Sequence, residues 1–206
     1  MTEHYFTERP SSERDRKSVA LRLRGHDVTV STEAGVFSHE RVDLGTQVLL
    51  RYAPDLPAQG DLLDLGCGWG ALTIAMALDS PQATVWAVDV NERALSLTAD
   101  NAAGLGLSRV RTGRPDQVPP DVEFATIWSN PPIRVGKEAL HSLLRQWLPR
   151  LAVGGVAHLV VQRNLGADSL HAWLTSALAE DAAREYDVSR IGSAKGYRVL
   201  EVRRRS

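Results

Sequence analysis

The chain has 206 residues, 43% of them hydrophobic, and a formal net charge of −1, which suits one globular unit with a substantial core. That balance excludes a strongly basic, sequence-indifferent nucleic-acid binder, the acids in the first ten residues argue against a signal peptide, and no apolar run reaches the roughly 18 residues of a membrane span. A single cysteine, Cys67, excludes an intrachain disulfide framework, and the six histidines show no paired helical spacing, so no metal is expected and a cytoplasmic protein is.

Val19, Leu21 and Leu23, then Gly25-His26-Asp27, then Val28 and Val30 predict two strands around a turn. Past Gly35-Val36-Phe37-Ser38, the spacing of Leu44, Val48, Leu49 and Tyr52 predicts a helix over 43–52, ended by Pro54 and Pro57. Residues 1–58 read as an extension, a hairpin and a helix packed on a core domain of residues 59–206.

From Gly60 on, β-rich runs at 61–65, 84–89, 109–112, 123–128 and 155–161 alternate with helical patterns, the form of an α/β parallel sheet covered by helices. A helix over 136–151 carries Leu140, Leu143, Leu144, Trp147, Leu148 and Leu151 on one stripe, and a second carries Leu170, Trp173, Leu174, Ala177 and Leu178; both stripes read as core. The runs 186–191 and 196–203 lack an intervening helix and predict an antiparallel terminal pair. Basic residues gather at Arg14, Arg16, Lys17, Arg22 and Arg24 and at Arg203-Arg204-Arg205, read as solvated surface, and at Arg134 and Lys137.

The strand Leu62-Leu63-Asp64-Leu65 enters Gly66-Cys67-Gly68-Trp69-Gly70 and then an apolar helical run from Ala71. Glycines there remove the Cβ obstruction and permit positive φ, so a nucleotide-like ligand can approach the backbone. The spacing is GxGxG, one residue tighter than the dinucleotide fingerprint GxGxxG. The next strand ends at Asp89, whose carboxylate can accept from both hydroxyls of an adenosine ribose without choosing between NAD and S-adenosylmethionine. The bland alternative for Asp89-Val90-Asn91 is a helix N-cap.

The run Leu63-Asp64-Leu65-Gly66-Cys67-Gly68-Trp69-Gly70 resembles the first motif of class I S-adenosylmethionine-dependent methyltransferases. The resemblance implies a Rossmann-like sheet with an antiparallel C-terminal strand, here preceded by the hairpin-helix extension. It also implies that Asp64, Gly66, Cys67, Gly68 and Gly70 hold the methionine end of the cofactor, that Asp89 and Val90 meet the ribose, and that Arg114 or Asp116 stands where the family grips adenine.

The fourth strand of the sheet ends in Asn130-Pro131-Pro132-Ile133. An amino group on a base or amide is a poor nucleophile because its lone pair is delocalised, and two acceptors on its hydrogens help to pyramidalise it. The Asn130 side-chain oxygen and the Pro131 carbonyl suit that task, and the prolines stiffen them. Standing alone, the motif reads as an ordinary Asn-Pro turn; beside a methyl donor it reads as the catalytic element, aligning nitrogen, methyl and sulfonium. Cys67 inside the cofactor loop is badly placed to add covalently to a pyrimidine, which favours nitrogen over carbon as the acceptor.

Gly35-Val36-Phe37-Ser38, Asp43-Leu44-Gly45-Thr46-Gln47, the motifs above with Arg134-Val135-Gly136-Lys137, and Lys195-Gly196-Tyr197-Arg198-Val199 resemble the RsmC-like small-subunit ribosomal RNA guanine-N2 methyltransferases. This implies Phe37, Thr46 and Asn130 near the cofactor, Asn130 and its prolines on the guanine amino group, and RNA as partner. Ile133 would pack against the target base, where an aromatic is common in the family, and Arg134 and Lys137 would contact phosphate. The alternatives are an N-methyltransferase for a protein amide or small molecule, and a cofactor-binding RNA-interaction module without catalysis.

Overall fold

Residues 16–33, 36 and 42–206 are described by the computed structural model of the chain. Strands β1 (Arg16–Leu23) and β2 (His26–Glu33) pair antiparallel as a separate two-stranded sheet. Their turn is Arg24 and Gly25, with φ of 45° and 96°, a two-residue turn whose twist matches that of the strands. His26 and Asp27, expected in the turn, open β2 instead. Nor is Arg24 a solvated cation: it donates to the carbonyls of Leu50 (3.0 Å) and Ala53 (2.8 Å) and pairs with Asp79, offsetting the cost of its left-handed backbone.

Helix α1 (Leu44–Tyr52) starts at Asp43, whose carboxylate accepts from the Gly45 and Thr46 amides, and stops before Pro54. There follow β3 (Asp61–Leu65), α2 (Ala71–Asp79), β4 (Thr84–Val88), α3 (Glu92–Gly104), β5 (Val110–Gly113), β6 (Phe124–Ser129), α4 (Lys137–Trp147), β7 (Leu151–Gln162), α5 (Ala167–Ala179), β8 (Tyr186–Ala194) and β9 (Tyr197–Arg204). The large sheet has the order β5-β4-β3-β6-β7-β9-β8; its first five strands are parallel, and β9 runs antiparallel to both β7 and β8. This is the Rossmann-like arrangement with an antiparallel C-terminal pair.

Strand alternation sorts the core into two layers. Leu62 joins a cluster with Val48 and Leu49 of α1, Ile74 and Met76 of α2, and Val28 and Val30 of the hairpin. Leu63 and Leu65 face the other way, toward Leu140, Leu144 and Trp147 of α4 and Leu170 and Leu174 of α5. No described helix is long and apolar enough to cross a membrane.

The helix expected over 136–151 ends at Trp147. Leu148-Pro149-Arg150 is a single 3-10 turn, and Leu151 already pairs with Phe124 as the first residue of β7. Pro149 has no N–H for the helical ladder, and its ring crowds the carbonyl four residues back. The strand therefore begins four residues before the expected 155, with a register irregularity opposite Phe124 and Thr126. Gly155 sits there because a Cβ would lie 2.8 Å from the carbonyl oxygens of Ala152 and Phe124. The terminal arginines are engaged too: Arg203 with Glu201 (3.3 Å), Arg204 with Glu123 (3.0 Å), and Arg205 with Asp187.

Candidate active site

The carboxyl ends of β3, β4 and β6 lie side by side, with Leu65 paired to both Val88 and Ser129. The Ser129 hydroxyl donates to the Leu65 carbonyl (2.7 Å), so Asn130 leaves β6 next to the glycine loop. In that loop Gly66, Gly68 and Gly70 have φ of 81°, 57° and 96°. Gly66 and Cys67 donate their amides to the Val88 carbonyl (2.8 and 3.1 Å), and Gly68 donates to Asp89 Oδ2 (3.0 Å). From α3, the Thr98 hydroxyl donates to the Gly68 carbonyl (2.9 Å) and Asn101 Nδ2 to the Trp69 carbonyl (3.0 Å). The loop is thus preorganised from two sides before any ligand arrives.

Asp64 is fully buried. Its Oδ2 accepts from the Thr73 amide (2.9 Å) and hydroxyl (2.6 Å), whereas Oδ1 has no hydrogen-bond partner. Burial pushes this carboxyl up to about 7, against the pull of the Thr73 donors and with a smaller push from Asp89. Asp89 is also raised by burial and held down by backbone donors, including Asn91 (2.9 Å). The N-cap of α3 is Asn91, which accepts from Arg93 (3.0 Å) and Ala94 (3.4 Å), so Asp89 is left to the loop. The Cys67 thiol is buried and raised well above its ordinary range, chiefly by burial and then by the two carboxylates, as suits an inert packing thiol.

Asn130 carries the most specific geometry. Its Nδ2 donates to Asp43 Oδ2 (2.8 Å) and to the Thr46 hydroxyl (3.2 Å). The reverse amide orientation would set an oxygen against the carboxylate, so the network defines the flip. Both amide hydrogens are used inward and Oδ1 is the acceptor left over. Pro132, at φ −73° and ψ 78°, centres an inverse γ-turn in which the Ile133 amide donates to the Pro131 carbonyl (2.8 Å). One lone pair of that carbonyl is therefore already engaged. Asp43, Thr46, Asp64, Gly66, Cys67, Gly68 and Asn130 line one recess.

Residues 27–200 match the methyltransferase small domain family. The chain belongs to that family. The methyltransferase is 33% identical over 207 residues to the uncharacterized protein YbxB of Bacillus subtilis, covering 99% of this chain and 100% of the relative. It is 32% identical over 189 residues to ribosomal RNA small subunit methyltransferase C of Pseudomonas putida, covering 89% of this chain and 53% of that one. Its fold matches that of the T. thermophilus 16S rRNA N2 methyltransferase RsmC, solved with AdoMet and guanosine, with a TM-score of 0.77 at 23% identity over 94% of this chain and 52% of that one. The chain spans about half the length of these last two proteins.

As a class I enzyme the methyltransferase takes S-adenosylmethionine, and its own residues suit that group. The partnerless, buried Asp64 Oδ1 in a glycine-lined recess fits an ammonium donor, and Asp89 lies one strand over. Arg114 does not line this recess: beyond the end of β5 it lies 3.9 Å from Glu92 and 3.8 Å from Asp116. Val90 is exposed beside Asp89. Ile133 is half-buried and packs against the α4 and α5 layer, and Lys137 is exposed at the start of α4. Phe37 and the Arg134 side chain lie outside what the structure describes. Two wider recesses, around Arg24, His26 and Asp79 and around Arg184 and Arg205, lie away from the glycine loop, with their main charges paired.

Sequence reasoning overlooked Asp43, Thr98 and Asn101. An acid before a helix start is a readable N-cap signal, but no local pattern announces that Asp43 also meets Asn130, or that α3 clamps the glycine loop.

Proposed function

We propose that this methyltransferase methylates a planar amino nitrogen, the exocyclic N2 of a guanine in ribosomal RNA. The carrying observation is the orientation of Asn130. With Nδ2 spent on Asp43 and Thr46, Oδ1 is presented as an acceptor, and the second lone pair of the Pro131 carbonyl supplies another. Acceptors already held in place need no reorganisation as the nitrogen pyramidalises.

When bound, S-adenosylmethionine supplies the electrophilic methyl. Asp64 would hold its ammonium, the Gly66-to-Gly70 backbone its methionine end, and Asp89 its ribose hydroxyls, with Thr46 and Cys67 closing the recess. These residues orient the donor, and Asn130 with Pro131 and Pro132 orients the acceptor. Val90 and Arg114 are proposed to flank the adenosine, Phe37 to lie near the cofactor, and Arg134 and Lys137 to meet phosphate.

RNA as acceptor is supported by the named activities of the RsmC relatives, and a cytoplasmic place of action goes with it. Ile133 offers no ring to stack on a base, and this favours as second reading a glutamine amide, which presents the same planar nitrogen. Methyl transfer from labelled cofactor to ribosomal RNA, small subunits, protein extract and small molecules separates the readings. Asn130→Ala is expected to keep cofactor affinity and lose about a hundredfold or more in turnover. Wild-type turnover in that variant rejects the mechanism, and label found only in protein rejects RNA as the acceptor.

A further inference from the structure

We propose that the carboxyl edge of β6, β7 and the β8–β9 hairpin is a phosphate track, formed by Lys137, Arg163 and Lys195, that leads single-stranded RNA to Asn130; it rests on the RNA-methylation reading above. The sheet order places these strands side by side, beyond Asn130 from the glycine loop. Strands β6 and β7 are parallel, so both end at this edge. Strand β9 is antiparallel to β7, with Gln162 opposite Tyr197, so the Lys195-Gly196 turn lies just beyond the end of β7. There the Arg163 amide donates to the Gly196 carbonyl (2.8 Å), which brings the Arg163 and Lys195 backbones together. Lys137 opens α4, directly after the turn that follows Asn130-Pro131-Pro132.

All three cations are exposed, and among the described residues none has an ion-pair partner. Arg198, on the same edge, differs in being tied to Asp168, and Arg203 and Arg204, at the opposite end of β9, are tied to Glu201 and Glu123. Lys195 also holds φ of 49°, a left-handed position that glycine or asparagine would take at less cost.

Charge divides along this edge. The β3–β5 half holds the buried Asp64, the half-buried Asp89 and the exposed Glu92 and Asp116, with Arg114 placed between the last two. The β6–β9 half presents the three cations, Glu138 being the exposed acid beside Lys137. Val135 and Leu165, exposed in the adjoining turns, add apolar surface for bases. A polyanion that must place one base at Asn130 is repelled from the first half and drawn along the second.

The test compares wild type with the triple variant Lys137→Gln, Arg163→Gln, Lys195→Gln in binding a labelled single-stranded RNA oligonucleotide across a salt series. The expected result is at least about a tenfold loss of affinity and a fall of about 2 in the slope of log affinity against log salt, at roughly 0.7 per phosphate contact. Cofactor affinity and melting temperature should match wild type. A control triple, Lys17→Gln, Arg22→Gln, Arg190→Gln, removes equal charge elsewhere and should bind like wild type. Equal affinities for wild type and the first triple, or equal losses in both triples, overturn the track. A wild type that binds RNA through these residues but transfers no methyl to it rejects the methylation reading alone.

Discussion

Asp43 Oδ2 lies 2.8 Å from Asn130 Nδ2 across 87 residues of sequence, while the same oxygen accepts from the Gly45 and Thr46 amides at the start of α1. One carboxylate atom thus caps a helix and orients the asparagine proposed to hold the acceptor nitrogen. The packing around it is tight: a Cβ on Gly45 would lie 2.9 Å from both that oxygen and the Tyr197 ring.

Capping and orienting separate in Asp43→Ser. Serine still caps the helix, but its oxygen sits one bond nearer the backbone and carries no charge to hold Asn130 Nδ2. Turnover should fall about tenfold or more, with cofactor affinity retained and melting within a few degrees of wild type. Unchanged turnover at saturating substrate would remove Asp43 from the positioning role.

Asp64 makes stability depend on pH. Its folded value of about 7 lies above the unfolded carboxylate range, near 4, so its contribution is full below about pH 4 and is lost as pH rises through 7. Asp64→Asn keeps an acceptor for Thr73 and no longer titrates. Without cofactor, the melting temperature of the variant relative to wild type should therefore rise between pH 5 and pH 8. Parallel melting profiles would contradict this. Cofactor affinity of wild type should weaken below about pH 7, as the carboxyl that would pair with the ammonium becomes neutral.

Asp89→Ala removes the acceptor that holds the Gly68 amide together with the proposed ribose contact. Cofactor affinity should drop about tenfold or more by calorimetry. Wild-type affinity in the variant would place the ribose elsewhere.

Asn101 joins the hairpin to the glycine loop. It accepts from the Ser31 amide (2.7 Å) and donates to the carbonyls of Ser31 (2.9 Å) and Trp69 (3.0 Å). Asn101→Ala should speed hydrogen exchange at the Ser31 amide and weaken cofactor binding together. Faster exchange with unchanged affinity would show that the hairpin and the loop are energetically independent.

Much of this protein was readable from local pattern. The GxGxG loop, the acid one strand on and Asn130-Pro131-Pro132 are each set by backbone chemistry within a few residues: glycine for positive φ, proline for a fixed φ, and a strand end that faces the cleft. The alternating runs announced the sheet for the same reason, since periods of 2 and 3.6 are local properties of the chain. The 136–151 stripe misled because an apolar helix face and the first residue of a buried strand look alike, and only Pro149 marked the change.

What tertiary structure alone decided is which polar groups are already spent. In sequence, Arg24 and Arg203-Arg204-Arg205 look like the free cations Lys137, Arg163 and Lys195; packing ties the former to carboxylates and carbonyls, and among the described residues the latter have no such partner. Asn130 likewise has two possible amide faces until Asp43 and Thr46 arrive from another element to take its nitrogen. Hydrogen bonds act over about 3 Å in space and are indifferent to separation along the chain, so residue type sets what a group can donate or accept, and the fold sets what it has left to offer a ligand.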